Sequence, residues 1–238
     1  MDEHTRLFNW VHDILIFLIL YSVAIVMLET VEDFAARHST FFWVSEQVVV
    51  FVFIVEYVGR MRVAQPKRSY VLSRWGLIDL IAILPSVSNL LHFTGLPLAR
   101  VGRLLRVLRF LRVLRVLKLT KRIATDIEES KVKRFGTLNL DLQIYFTATF
   151  TVLVICSTLI YFAEHGAQPE AFSSIPESMW WGVSVLSKLG CADMSPVTIM
   201  GKAVAALTSF SGLALFGVLM GVVSKTMVAG LYGTHGSD

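Results

Sequence analysis

The sequence predicts an all-α membrane protein with six transmembrane helices. Of its 238 residues, 55% are hydrophobic and only 17% are charged, which is more apolar than a soluble domain needs for its core. A helix needs about 20 apolar residues to cross the hydrocarbon of a bilayer. Runs of that length, or nearly so, lie at residues 11–28, 41–58, 77–91, 98–119, 142–163 and 198–229. Each run is interpreted as one crossing.

Basic residues near these runs predict the orientation of the helices. Basic side chains fill the loop after the second run and the loop after the fourth: Arg60, Arg62, Lys67, Arg68 and Arg74, then Lys121, Arg122, Lys131, Lys133 and Arg134. Because cytoplasmic loops carry an excess of Lys and Arg, both loops and both termini should be cytoplasmic. The net charge of +4 is concentrated inside and beside the spans, which argues against a nucleic-acid partner.

Side chains for enzyme or metal chemistry form no recognisable pattern. Cys156 and Cys191 have neither metal-ligand nor disulfide spacing, and the six histidines are scattered. We therefore expect no enzymatic activity and no cofactor.

The fourth run carries a ladder of basic residues. Residues 100–121 place one at every third position, mostly with Val, Leu or Phe between them: Arg100, Arg103, Arg106, Arg109, Arg112, Arg115, Lys118 and Lys121. On an α-helix these charges wind around the axis, whereas a 3₁₀ helix would align them in one column. Each charge at the bilayer centre costs at least about 2.5–3.5 kcal/mol, so the span requires aqueous crevices or carboxylate partners.

Acidic residues in the neighbouring spans decide how this ladder is interpreted. A lone basic segment would be read as an amphipathic helix on a membrane surface or nucleic acid. Here Glu46 and Glu56 lie in the second run and Asp79 lies in the third. Because an acid within an apolar span indicates a functional site, the combination favours charge pairs inside the membrane.

These residues resemble the voltage-sensor domain of the voltage-gated cation channel superfamily, and specifically its potassium-channel branch. The stretch "FIVEYVGR" is similar to the family's Phe-x-x-Glu-x-x-x-Arg pattern, and "LIDLIAILPS" resembles its Ile-Asp-x-x-Ala-Ile-x-Pro segment. The resemblance implies that Phe53 is a hydrophobic plug, that Glu56 and Asp79 are inner countercharges, and that Glu46 is the outer one. It also implies that the basic residues from Arg100 to Lys118 sense voltage.

The last third of the chain resembles a pore module with a re-entrant pore helix. The stretch "MWWGVSVL" is similar to the family's pore helix, and the apolar run after Pro196 resembles its inner helix, with Gly212 at the hinge position. In register with the family's Thr-Val-Gly-Tyr-Gly-Asp filter, and preceded by Ser187, are Lys188, Leu189, Gly190, Cys191, Ala192 and Asp193. Because four chains line such a filter, the resemblance implies a homotetramer in the lipid bilayer around a permeant inorganic ion.

This loop departs from the potassium pattern at three positions. Ala192 puts a β-carbon where the family has glycine, and Cys191 is too small to reach the tryptophans of the pore helix. Four Lys188 side chains around the axis would repel potassium and attract anions, unless Lys188 snorkels away or pairs with Asp193. We therefore expect a pore that is not potassium-selective and is either anion-permeable or weakly selective.

The predicted domains are a voltage sensor over residues 1–120, an interfacial linker helix over 121–141, a pore domain over 142–230 and a tail over 231–238. The expected function is voltage-gated ion permeation by a pore-forming subunit. Two alternatives stay open: a non-conducting voltage-sensing or regulatory subunit, and a proton pathway through the sensor itself.

Overall fold

The computed structural model describes residues 3–63, 111–119, 138–190 and 194–232. All regular secondary structure in these ranges is helical, in agreement with the predicted fold class. The chain divides into two compact units, Met1–Lys121 and Arg122–Asp238.

The described part of the first unit contains three α-helices and one 3₁₀ helix. They are α1 (Glu3–Glu29), α2 (Glu32–Arg37), α3 (Ser39–Val63) and the 3₁₀ helix Leu111–Val116, which continues as an α-helical turn to residue 119. α1 packs against both α3 and the 3₁₀ helix. Val23, Val49, Phe53, Val113 and Val116 are buried between them.

Within the described residues of the second unit, three helices pack against one another: α4 (Leu138–Glu164), α5 (Ile175–Leu186) and α6 (Ile199–Tyr232). α5 has 12 residues and is about 18 Å long, so it is too short to cross a bilayer core of about 30 Å. It begins at Ser174, whose hydroxyl accepts a hydrogen bond from the Glu177 backbone N–H at 3.3 Å. Its inner face packs into a core formed by Ile160, Phe172, Trp181, Val185 and Val204.

α4 begins at Leu138, four residues before the predicted apolar run. Asp141 lies in its first turn, where a negative charge favours the helix N-terminus. The Asp141 carboxylate also contacts the Lys225 ammonium on α6 at 2.5 Å. Both interactions favour a helix that begins before the predicted apolar run.

Three of the described helices are long and apolar enough to cross a membrane, namely Ser39–Gly59, Leu138–Glu164 and Ile199–Val228. α1 adds a shorter apolar stretch, Ile14–Glu29. Large side chains on the outer faces are well exposed, such as Phe51 at 68% and Phe210 at 71%, which suits contact with lipid tails. The predicted span at 77–91 and most of the span at 98–119 lie outside the described residues.

Candidate functional site

The described part of the charge ladder begins as a 3₁₀ helix, the geometry that aligns a three-residue repeat, and Lys118 lies in the α-helical turn that follows. At three residues per turn, positions 112 and 115 fall on one face of the segment Leu111–Val116. The two ladder cations whose side chains are described are almost fully buried, with Arg115 2% exposed and Lys118 6% exposed. A buried cation is stable only with partners that replace water, so the contacts of these two side chains define the site.

Phe53 and Glu56 on α3 provide those contacts. The Lys118 Nζ lies 4.1 Å from the centre of the Phe53 ring and 3.3 Å from the Glu56 Oε2. The Arg115 Cζ lies 5.4 Å from the same ring centre. The ring face attracts both cations and is itself fully buried, while the carboxylate supplies the countercharge. The structure thus brings together four of the residues singled out from the sequence.

Ser22 on α1 also contacts Arg115. The Arg115 Nη1 donates a hydrogen bond to the Ser22 Oγ at 2.5 Å, and Ser22 is only 2% exposed. A second hydroxyl contact joins α1 to α3, because the Tyr21 hydroxyl donates to the Ser45 Oγ at 3.0 Å. Sequence reasoning missed Ser22, although a small polar residue inside an apolar span was an available signal.

The remaining predicted sensor residues are only partly described. Glu46 lies on α3 and is partly buried. The backbone of Arg112 belongs to the 3₁₀ helix. Asp79 and the first four arginines of the ladder lie outside the described residues: Arg100, Arg103, Arg106 and Arg109.

Lys188 ends the pore-helix candidate α5 in a left-handed conformation, with φ of 62°. The Lys188 N–H donates to the Val185 carbonyl at 3.3 Å, and the Leu189 N–H donates to the Ser184 carbonyl at 3.1 Å. This pair of bonds is a Schellman motif, which normally has glycine at the left-handed position. A side chain there costs about 1–2 kcal/mol, so other contacts of Lys188 must offset the strain.

One such contact joins the Lys188 side chain to α6. Its Nζ donates a hydrogen bond to the Ser209 backbone carbonyl at 2.6 Å. Gly190 follows with φ of 100°, and Leu189 between them is 80% exposed. Within one chain this geometry matches the alternative in which Lys188 turns its charge away from the loop. Cys191, Ala192 and Asp193 lie outside the described residues.

The tryptophans of α5 have contrasting environments. Trp180 is 58% exposed, whereas Trp181 is 1% exposed. The Trp181 ring packs edge-on against the Phe172 ring, with 6.3 Å between the ring centres. The buried Trp181 indole N–H has no hydrogen-bond partner in the part of the chain that the structure describes. A buried indole usually finds an acceptor, and the described residues provide none for this N–H.

Gly212 lies where α6 crosses the end of α5. A β-carbon on Gly212 would be 2.8 Å from the Leu186 carbonyl oxygen and 2.9 Å from the Leu186 Cα. Both neighbours are backbone atoms and cannot move away without shifting a helix. Gly212 therefore permits close packing of the two helices, a role separate from the predicted hinge.

Gly212→Ala is expected to destabilise the second unit by about 1–3 kcal/mol, because overpacking against Leu186 outweighs the gain of about 1 kcal/mol that alanine brings to a helix interior. Gly217→Ala is the matched control on the same helix, since a β-carbon there has nothing within 4 Å. Thermal unfolding in lipid nanodiscs compares the two. Equal effects of both substitutions would contradict the close approach at Gly212.

Glu164 at the end of α4 is a buried acid that sequence reasoning missed. It is 0% exposed, and its carboxylate accepts hydrogen bonds from the Val197 N–H at 3.1 Å, the Thr198 N–H at 2.9 Å, the Thr198 hydroxyl at 2.8 Å and the Gln168 amide at 2.9 Å. Thr198 in turn caps α6 by accepting from the Gly201 N–H at 2.8 Å. The carboxylate thus stabilises the N-terminus of α6, where a helix leaves N–H groups unsatisfied. An acid at the end of an apolar run was the available signal.

Glu164→Gln is expected to destabilise the second unit, because an amide carries one acceptor oxygen and no charge. Each charge-assisted hydrogen bond lost costs about 1.5–3 kcal/mol, so the midpoint of thermal unfolding should fall clearly. Glu170→Gln, at an exposed position six residues later, is the control and should leave the midpoint unchanged. If Glu164→Gln unfolds at the wild-type temperature, the carboxylate does not hold α6.

Comparison with known proteins agrees with these features. The sequence profile of the ion transport protein family matches residues 8–229. A candidate potassium channel protein of Rhodopseudomonas palustris is 29% identical over 227 residues, covering 90% of this chain and 52% of the relative. The human potassium voltage-gated channel subfamily A member 7 is 34% identical over 177 residues, covering 72% of this chain and 38% of that protein. A human A-type voltage-gated potassium channel is 29% identical over 189 residues, covering 79% and 28%.

The chain spans about half the length of the bacterial relative and a smaller share of the length of each of the two human proteins. The family match nevertheless covers nearly the whole chain, from the first helix through α6. The predicted family is thereby confirmed. The chain belongs to the ion transport protein family, as a voltage-gated potassium channel-like member.

Proposed function

We propose that this chain is the pore-forming subunit of a voltage-gated ion channel. It crosses the cell membrane six times with both termini in the cytoplasm, and it assembles as a homotetramer around one ion pathway. The observation that carries the proposal is the burial of Arg115 and Lys118 against Phe53 and Glu56. A surface-bound basic helix would have no need of a buried ring and carboxylate around its charges.

The position of the ladder supports a sensing role. Lys118 contacts Phe53 and Glu56, and the six arginines from Arg100 to Arg115 all precede it in the chain. When Lys118 lies at the Phe53 ring, the arginines can reach the ring only by a movement that carries Lys118 away from it. Each step of that movement advances the ladder by three residues. Each charge that crosses the field is worth about 2.3 kcal/mol per 100 mV, so three or four charges per subunit supply tens of kcal/mol per tetramer.

The proposed pore is not potassium-selective and is either anion-permeable or weakly selective. The left-handed turn in which Lys188 ends α5 supports the loss of potassium selectivity. That backbone differs from a column of carbonyls that runs directly on from the pore helix. Cys191 and Ala192 replace the tyrosine and second glycine of the family's filter.

A non-conducting voltage-sensing subunit is the second candidate. The same observations favour it, since a sensor with buried charge contacts stands beside a loop that departs from the family's filter. Ion flux of any selectivity through purified protein in liposomes would rule it out.

Replacing Arg106 and Arg109 together with glutamine tests the sensor. We expect a shallower dependence of charge movement or conductance on voltage, because two charges per subunit leave the field. Lys202→Gln, which removes an exposed cation on α6 outside the ladder, should leave the steepness unchanged. Unchanged steepness in the double arginine variant would remove the ladder from the sensor.

A further inference from the structure

Two neighbouring cations of the ladder have different polar partners in the first unit. The Lys118 Nζ lies 3.3 Å from the carboxylate oxygen Oε2 of Glu56. The Arg115 Nη1 donates a hydrogen bond to a neutral group, the Ser22 Oγ, at 2.5 Å. Both cations also lie near the Phe53 ring, within 5.4 Å of its centre. The structure thus shows two adjacent cation positions, one with a carboxylate contact and one with a hydroxyl contact.

The hydroxyl position is buried at both ends of its hydrogen bond. Ser22 and Arg115 are each 2% exposed, and the Phe53 ring is fully buried. Because water cannot replace a lost partner here, a buried charged donor without its acceptor costs more than an exposed one. Ser22 belongs to α1, whereas Phe53 and Glu56 belong to α3. The contact therefore adds α1 to the elements that hold the ladder.

The hydroxyl position suits a guanidinium better than an ammonium. A guanidinium delocalises its charge and carries its N–H donors in a planar fork, so one donor can reach a neutral oxygen while the others keep other partners. An ammonium is compact and more strongly hydrated, so on burial it needs a strong acceptor such as a carboxylate. The occupants follow this division, because the guanidinium of Arg115 lies at the hydroxyl and the ammonium of Lys118 lies at the carboxylate.

The ladder changes from arginine to lysine at the boundary between these two positions. Every ladder residue from Arg100 to Arg115 is an arginine, and Lys118 is the first lysine. Positions 112 and 115 fall on one face of the 3₁₀ helix, so a movement by one three-residue step would bring Arg112 to the place that Arg115 occupies. A step in the opposite direction would bring Lys118 there instead. The residue type at the hydroxyl therefore depends on the position of the ladder.

We propose that Ser22 is a positioning residue of the sensor, whose hydroxyl holds an arginine in preference to a lysine next to Phe53 and Glu56. In the ladder position that the structure shows, this arginine is Arg115, and the contact stabilises the position in which Lys118 lies at the ring. The inference rests on the proposed voltage-sensing function and adds a residue to it. The plug and countercharges implied by the family resemblance lie on the second and third spans, whereas Ser22 lies on the first.

Arg115→Lys tests this preference in charge-voltage curves of the full chain in lipid bilayers. Loss of the guanidinium contact disfavours the position in which Lys118 lies at the ring. The midpoint should therefore move by about 20–40 mV in the direction that depopulates this position, for one charge-assisted hydrogen bond and about three moving charges per subunit. In a Ser22→Ala background, which has no acceptor to lose, the same substitution should move the midpoint by less than about half as much. Alanine is smaller than serine and favours helices, so this background should fold.

Ser45→Ala is the matched control background. The Ser45 Oγ accepts a hydrogen bond from the Tyr21 hydroxyl at 3.0 Å, so this hydroxyl also joins α1 to α3, but its described partner is not in the ladder. In this background Arg115→Lys should produce the full shift. Equal shifts in the Ser22→Ala and Ser45→Ala backgrounds, or no shift in the wild-type background, would overturn the inference and leave the sensor assignment intact. Absence of voltage-dependent charge movement in the wild type would overturn both.

Discussion

Replacing Lys188 with glycine or with threonine is expected to move the reversal potential toward that of the permeant cation. Both changes remove the ammonium that contacts the Ser209 carbonyl. An ammonium repels a cation about 6 Å away by about 3 kcal/mol at an effective dielectric constant of about 20. The loss of four such charges should therefore change the ratio of cation to anion permeability by more than tenfold.

The two substitutions separate the charge of Lys188 from its backbone conformation. Glycine accepts φ of 62° without strain, whereas the β-branched threonine disfavours it and allows the loop to extend. Neither variant should become potassium-selective, because Cys191 and Ala192 remain. The triple variant Lys188→Thr, Cys191→Tyr, Ala192→Gly should be selective for potassium over sodium.

Lys202→Met is the control for the Lys188 variants, since it removes an exposed lysine from α6 and should leave the reversal potential unchanged. Reversal potentials are read from single-channel or macroscopic currents in planar bilayers with asymmetric salt. Wild-type reversal in both Lys188 single variants would show that this charge lies away from the permeation path.

Replacing Glu56 with glutamine is expected to destabilise the first unit by about 3–5 kcal/mol, because it removes the carboxylate that contacts a buried ammonium. The Lys118 side chain is 3% exposed and its Nζ is 3.3 Å from that carboxylate. We take about 3 kcal/mol of the lost stability to apply to the sensor state in which Lys118 contacts Glu56. With about three charges moving per subunit, the voltage midpoint then shifts by about 40 mV. Thermal unfolding and charge-voltage curves measure the two effects.

A double-mutant cycle isolates the contact itself. Glu56→Gln combined with Lys118→Met should lose less stability than the sum of the two single changes, with a coupling energy of about 1–3 kcal/mol. Glu32→Gln, an exposed acid on α2, is the matched control and should change neither stability nor midpoint. If the stability loss of the double variant equals the sum of the losses of the two single variants, the ion pair between Glu56 and Lys118 does not stabilise the fold.

Local spacing made much of the first unit predictable. The three-residue repeat from Arg100 to Lys118 left an α-helix and a 3₁₀ helix open, and the segment Leu111–Val116 adopts the 3₁₀ form. Phe53 and Glu56 lie three residues apart on α3, so a helix alone brings them together. The all-helical membrane fold and the family followed from hydropathy and motifs, and both are confirmed.

Contacts distant in sequence were not predictable. Lys188 reaches the Ser209 carbonyl on another helix, Ser22 receives a hydrogen bond from Arg115, and Glu164 caps a helix that begins at Ile199. Each depends on how two helices pack, which no local pattern encodes. The left-handed conformation of Lys188 was hidden for a further reason, because glycine is the residue that normally signals such a turn.

Current through the wild-type protein in a planar bilayer tests the central claim most directly. Voltage steps are applied in asymmetric potassium chloride, after which potassium is replaced by sodium and chloride by a large organic anion in separate runs. The proposed function predicts a voltage-dependent current whose reversal potential moves little when sodium replaces potassium. The proposed function would be contradicted if the reversal potential followed the potassium gradient alone and sodium carried no current in place of potassium.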